Sequence, residues 1–237
     1  MVVAAAFMVC CVGLPSLPAA AGDDEESRVI LFSGRDLWRN GAFLYGGLLL
    51  APGGFDQDGF LLKLFYSGGL YRYRAGDLNG DTVVGMELVG HVAPGFQIKR
   101  DRFEAKFFLG PDVQDHRLWP DDPGNTLRGR AFGLRVSGEL WSEPTERTMI
   151  AADAALSTIG TNYSARVAAG WRLFEAFYIG PESQIYGGDG YRQLRFGAHI
   201  TSMKTGEIEW SAGAGWSRDT DEQSGPYVRL NMMQRIH

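Results

Sequence analysis

Residues 207–217 read EIEWSAGAGWS, and the two parities of this stretch differ in kind. Ile208, Trp210, Ala212, Ala214 and Trp216 alternate with Glu207, Glu209, Ser211, Gly213, Gly215 and Ser217. A period of two sends alternate side chains to opposite faces of a β-strand. One face of this strand is apolar and carries Trp; the other is small or acidic. A soluble sheet buries its apolar face. A strand between lipid and a watery lumen turns that face to lipid and its polar face inward. One strand fits either arrangement, so its neighbours decide.

The pattern recurs along the chain. Over 59–73, Phe60, Leu62, Leu64, Tyr66 and Leu70 oppose Lys63, Ser67 and Gly69. Over 81–92, Val84, Met86, Leu88 and Val92 oppose Gly85, Glu87 and His91. Over 102–110, Phe103, Ala105, Phe107 and Leu109 oppose Arg102, Glu104 and Lys106. Residues 127–141 set Phe132, Leu134, Val136 and Leu140 against Arg135, Ser137 and Glu139, and 148–157 set Ile150, Ala152, Ala154 and Leu156 against Asp153 and Ser157. From 163 to 185 the odd positions stay mostly apolar, so parity finds no break. A tilted strand crosses a bilayer in about 9–11 residues, which divides this run near Arg172-Leu173. With 28–37, 41–51, 191–202, 207–217 and 227–236, these segments predict about twelve strands (10–12), even in number as closed bacterial barrels require.

Turn chemistry separates them: Ala51-Pro52-Gly53-Gly54, the AGDLNG of 75–80, Glu143-Pro144-Thr145-Glu146 and Gly187-Gly188-Asp189-Gly190. Residues 111–126, PDVQDHRLWPDDPGNT, hold three prolines and several Asp and read as the longest loop. With both chain ends on one side of the membrane, 111–126 and 218–225 fall on the far side, and 143–146 and 203–206 on the near side. The expected fold is all-β, an antiparallel up-and-down transmembrane β-barrel over 28–237.

Composition fits this class. The chain has 237 residues, 45% of them apolar, so it reads as folded and not disordered. Its 32 Gly follow no three-residue repeat, which excludes collagen. A net charge of −5 without a Lys/Arg run argues against a nucleic-acid partner. Residues 1–21 are apolar, uncharged and end in Ala19-Ala20-Ala21, the pattern of a secretory signal peptide lacking its usual basic start. An acidic linker follows over 22–27. Cys10 and Cys11 fall inside the signal segment, so the mature chain needs no disulfide.

The inward parity is charged in both senses. Lys63, Lys106, Arg135, Arg166, Arg195 and Arg229 stand beside Glu87, Glu104, Glu139, Asp153, Glu182 and Glu209. In a narrow lumen unpaired charges are costly, so these twelve are expected to form a lumen charge network. Trp171, Trp210 and Trp216 are expected as lipid-side anchors. Tyr71, Tyr73, Tyr191 and Tyr227 share the inward parity and, with Gln184, are candidate contacts for a glucan chain. Near strand ends, however, Tyr more often forms the interfacial belt, and that reading is preferred for the four tyrosines.

Asp77-Leu78-Asn79-Gly80-Asp81 has the first spacings of a calcium loop, but Thr82 and Leu88 stand where that loop needs Gly and Glu, so a plain turn is expected. Gly110-Pro111-Asp112 and Gly180-Pro181-Glu182 are repeated Gly-Pro-acid steps expected to end or bend a strand. His91 and His199 lack a second His at metal spacing. No metal or cofactor is expected.

Three segments together resemble the cellulose biosynthesis protein BcsS family of alphaproteobacteria: 32–74, from FSGRDLW through FLYGGLLLAPGGFDQDGFLLKLFYSGGLYRYR; 108–116, FLGPDVQDH; and 178–219, YIGPESQIYGGDGYRQLRFGAHITSMKTGEIEWSAGAGWSRD. The resemblance implies an exported outer-membrane protein of a Gram-negative bacterium associated with cellulose biosynthesis, its secretion or its surface anchoring, without catalytic residues to assign. Expected partners are outer-membrane lipid and cellulose or other cellulose-synthesis components. The alternatives are an outer-membrane enzyme acting on lipid or polysaccharide, with His199 beside Ser202 or Glu207, and a narrow pore. Strand parity separates His199 from Ser202.

Overall fold

The computed structural model describes residues 27–236. The expected signal peptide, most of the acidic linker, Cys10 and Cys11 lie outside the described residues. Twelve strands follow in order: β1 Val29–Trp38, β2 Gly41–Leu50, β3 Gly59–Arg74, β4 Thr82–Arg100, β5 Phe103–Trp119, β6 Gly129–Thr145, β7 Thr148–Ser157, β8 Tyr163–Leu173, β9 Phe177–Gly188, β10 Tyr191–Thr205, β11 Ile208–Asp219 and β12 Ser224–Ile236. Each pairs antiparallel with its chain neighbours, and β1 pairs β12 from Val29↔Ile236 to Trp38↔Tyr227, closing the barrel. Closure removes the unpaired edges that an open sheet would leave in lipid.

The outward face is apolar. Phe60 is 77% and Phe132 78% exposed, and Leu44, Phe107, Leu109, Leu134, Leu156, Val167 and Phe196 point the same way. A water-soluble protein would bury such a band; a bilayer covers it. Trp171 and Trp216 are exposed on this face and Trp210 is half-buried there, whereas Trp38 and Trp141 face inward.

The connection expected over 111–126 is mostly strand. β5 runs on to Trp119, and only 120–128 is irregular. The inward residues of this extension are Asp112, Gln114, His116 and Leu118, so a polar inner face made a strand resemble a loop. Trp119 is exposed on the outward face, a position that the loop reading concealed.

Both Gly-Pro-acid steps lie inside strands and end neither. Pro111 pairs with Leu134 on one side, but pairing to β4 lapses between His91↔Asp112 and Gly95↔Phe108. Pairing of β8 with β9 lapses likewise between Ala168↔Glu182 and Trp171↔Ile179. At these gaps the backbones crowd: a Cβ on Gly110 would lie 2.0 Å from the Val92 carbonyl oxygen, and one on Gly180 1.9 Å from that of Ala169. Glycine is required there by the approach of the neighbouring strand.

Candidate functional site

The interior has an apolar half and an ionic half. Ile30 and Phe32 of β1, Phe43, Tyr45 and Leu49 of β2, and Leu61 and Phe65 of β3 turn inward and pack together with Val89 and Ala93 of β4. Phe65 is at their centre, stacked on His91 at 4.7 Å and near Tyr45 at 6.1 Å. The apolar residues of β1 and β2 occur on both parities, so alternation alone did not mark this half.

All twelve residues of the expected charge network are buried, Lys63 and Glu87 on β3 and β4 and the others on β5 to β12. Glu182 is the hub of the ionic half. Its Oε2 accepts from Arg229 Nη2 at 2.6 Å and Arg166 Nε at 3.0 Å, and its Oε1 accepts from Gln184 Nε2 at 2.8 Å and the Tyr227 hydroxyl at 2.9 Å. Arg166 also approaches Asp153 at 3.5 Å. Gly213 leaves the room this needs, since a Cβ there would lie 2.3 Å from Glu182 Oε1.

Lys63 meets Glu139 at 2.5 Å, and Glu104 is held between Lys99 and Lys106. Two cations use acids that the sequence reading did not include. Arg135 donates from Nε and Nη2 to Asp112 at 3.2 and 3.1 Å, and Ser157 donates to the same oxygen at 2.6 Å. Arg195 Nη1 reaches both oxygens of Asp36 at 2.8 and 2.9 Å, and its guanidinium lies 4.7–5.2 Å from the rings of Trp38, Tyr186 and Tyr227. Asp112 was hidden by its assignment to a loop, and Asp36 by the unread parity of β1.

Several of these contacts join strands that are not neighbours. Lys63–Glu139 ties β3 to β6, Asp36–Arg195 ties β1 to β10, and Arg229–Glu182 ties β12 to β9. Such bonds cross the interior at the level where a channel would have to run. At the loop end the Tyr73 hydroxyl donates to Asp122 Oδ2 at 2.7 Å and accepts from Asn125 Nδ2 at 3.0 Å, so 120–128 is fastened to the barrel mouth.

Tyr71, Tyr73, Tyr191 and Tyr227 are therefore not a belt. All four are buried inside, where their hydroxyls find His116, Asp122, Gln193 and Glu182. Residues 76–78 form a short 3-10 turn. The separation of His199 from Ser202 also needs correction. Pairing of β10 with β11 shifts between Ile200 and Met203, and Ser202 takes a φ of 65°, so a bulge turns both Thr201 and Ser202 inward. His199 contacts the Thr201 hydroxyl at 2.9 Å and the Ala169 carbonyl oxygen at 3.1 Å, one through each ring nitrogen. Neither nitrogen is turned to Ser202. Glu209 is buried near Ser202 and Lys204, while Glu207 lies exposed beyond the strand and accepts from Gln234 Nε2 at 3.2 Å.

The sequence pattern of the family described as "Cellulose biosynthesis protein BcsS" matches residues 30–236. No curated protein sequence matches the chain. Among solved structures, a KdgM porin is 10% identical with a TM-score of 0.44, covering 88% of this chain and 99% of its own. LpxR from Salmonella typhimurium is 11% identical at 0.49, covering 88% and 100%. The transport unit of the autotransporter AIDA-I from Escherichia coli is 7% identical at 0.47, covering 92% and 93%.

Proposed function

The chain belongs to the cellulose biosynthesis protein BcsS family, and from that premise we propose that it is a non-enzymatic outer-membrane barrel that anchors secreted glucan at the cell surface and does not conduct it. One observation carries the reading: ion pairs between non-neighbouring strands cross the lumen, Lys63 to Glu139 and Asp36 to Arg195 among them. A glucan chain passing through would have to separate buried charges from their partners, at a cost of about 3–5 kcal/mol for each pair broken.

Glucan contact is assigned to the loop end. Of the candidate residues, Gln184 and Tyr227 are engaged by Glu182 in the interior. Tyr71, Tyr73 and Tyr191 are near the mouth, with Tyr73 directly under 120–128. A ring freed by displacement of that loop would present a flat face to a sugar.

A clean chromosomal deletion tests the role. Total glucan made is expected to stay the same while polymer moves from the cell-bound to the released fraction. A fall in total synthesis with no change in that partition would overturn anchoring. Purified protein in planar bilayers is expected to give no stepwise conductance, and steady ion-conducting openings would overturn the closed lumen. Replacement of Tyr73 and Tyr191 by Ala should lower retained glucan in cells whose barrel still shows heat-modifiable migration.

A further inference from the structure

The outward face is apolar around its middle, but its loop end carries arginines. On β3, β5 and β6, Arg72, Arg74, Arg117 and Arg130 all point outward and all are exposed. They step diagonally over adjoining strands. Arg72 pairs across to Val84, which pairs to Trp119; Met86 pairs to Arg117; and Asp115 pairs to Arg130. With strands about 4.8 Å apart, this staircase is about as wide as a disaccharide headgroup.

These cations are only partly neutralised. Asp115 lies between Arg117 at 3.8 Å and Arg130 at 3.5 Å, yet the two arginine side chains remain 58% and 64% exposed. Arg72 donates to the Arg39 carbonyl oxygen at 3.2 Å, and neither Arg72 nor Arg74 forms an ion pair among the described residues. Nearby Asp121 is taken by Arg128 at 2.8 Å. The opposite rim differs: there Arg100 is matched by Asp58 at 2.6 Å and Arg102 by Glu146 at 3.1 Å. Along β3, β5 and β6 these four arginines outnumber Asp115, with Asp81 exposed in the turn after β3; the opposite rim also carries the exposed Arg147 and Arg172.

An apolar groove starts one side-chain row away. Val113 follows Asp115 along β5, and Phe132 follows Arg130 along β6, both toward the barrel middle. With Tyr66 and the gap at Gly90 they form one end of an apolar cavity of about 1030 Å³ that continues past Leu48 and Leu31 to Met232 and Ile208. Arginines above and an apolar groove below match an amphiphile with anionic groups on its head and acyl chains on its tail.

We propose that this face of β3–β6 is a docking site for a phosphorylated glycolipid of the outer leaflet. Its phosphates sit on Arg72, Arg117 and Arg130, and an acyl chain lies along Tyr66, Val113 and Phe132. Asp115 fixes the spacing of Arg117 and Arg130, which leaves each guanidinium an open edge for a phosphate. The site depends on placement in an outer membrane but not on any role in glucan anchoring.

Native mass spectrometry of the full chain in detergent, with added bisphosphorylated lipid A, tests it. Wild-type protein is expected to retain the lipid, with weaker retention of monophosphoryl lipid A and no competition from millimolar inorganic phosphate. Combining Arg72→Gln, Arg117→Gln and Arg130→Gln should weaken retention about 100-fold, at roughly a factor of five per arginine. The pair Arg100→Gln and Arg102→Gln on the other rim should leave it unchanged. Gly90→Leu fills the groove where a Cβ would meet Val113 at 3.6 Å and the Phe65 carbonyl oxygen at 3.9 Å, and should also weaken retention. Equal retention by the triple variant, or equal retention of a fully dephosphorylated lipid by wild type, would overturn the site. Each variant must keep heat-modifiable migration; loss of that property in the wild type would instead overturn the barrel placement.

Discussion

The two halves of the interior fill the same kind of space by opposite means. Around Phe65, side chains of β1 to β4 exclude water by packing, and the contacts are non-directional. Around Glu182, the interior is filled by arginine, glutamate, glutamine and tyrosine whose bonds must each be met. The apolar half tolerates changes of shape at a graded cost. The ionic half fails when one member is lost, because the others cannot be rehydrated.

The largest expected effect is therefore Glu182→Leu, which removes the acceptor that Arg166 and Arg229 share and should destabilise the barrel by about 5 kcal/mol. The urea midpoint for loss of heat-modifiable migration in phospholipid vesicles measures it; a shift no greater than that of Phe65→Ala would break the contrast between the halves. Phe65→Ala itself leaves a cavity beside His91 and Tyr45 and should cost about 3 kcal/mol by the same measure. Gly213→Ala pushes a methyl against Glu182 and should cost about 2 kcal/mol, visible as earlier thermal unfolding.

A sharper comparison replaces a whole pair. Lys63→Met alone leaves Glu139 without its ion-pair partner and should cost about 3 kcal/mol, whereas Lys63→Met with Glu139→Leu should fall within about 1 kcal/mol of wild type. A double variant as unstable as the single one would show that the charge itself is needed.

The smallest effect is outside the membrane. Arg100, then the Lys99 backbone N–H, hold the Asp58 carboxyl below the usual carboxylate range. A lowered folded-state value contributes stability above the unfolded-state value and loses it as pH falls through the folded one. Asp58 is open to solvent, so Asp58→Asn should leave the neutral-pH midpoint unchanged within error, and any difference should vanish in acid.

Much of this could be read from residues in order. The outward faces of most of β3 to β12 and the balance of inward charge follow from a period of two, and strand number follows once the length of a tilted strand divides 163–185. The reading failed where that signal was absent or inverted. β1 and β2 carry apolar residues on both faces, so Asp36 and the apolar half went unseen; the polar inner face of β5 after Pro111 passed for a loop; and a bulge at Ser202 changed parity in mid-strand. The tyrosines were correctly placed on the inward parity but assigned to a belt, since parity gives a side and says nothing of what fills it.

The stretch 207–217 shows where the boundary lies. Its alternation by itself determined that Glu209 and Ser211 share one face and that Trp216 lies on the other, because a strand offers each side chain only two directions; the neighbouring strands decided which face meets lipid. Which residues meet across the interior was decided by closure alone. Arg229 reaches Glu182 from 47 positions away and Arg195 reaches Asp36 from 159, and those distances are set by how twelve strands tilt and join, a property of the whole barrel and of no single strand.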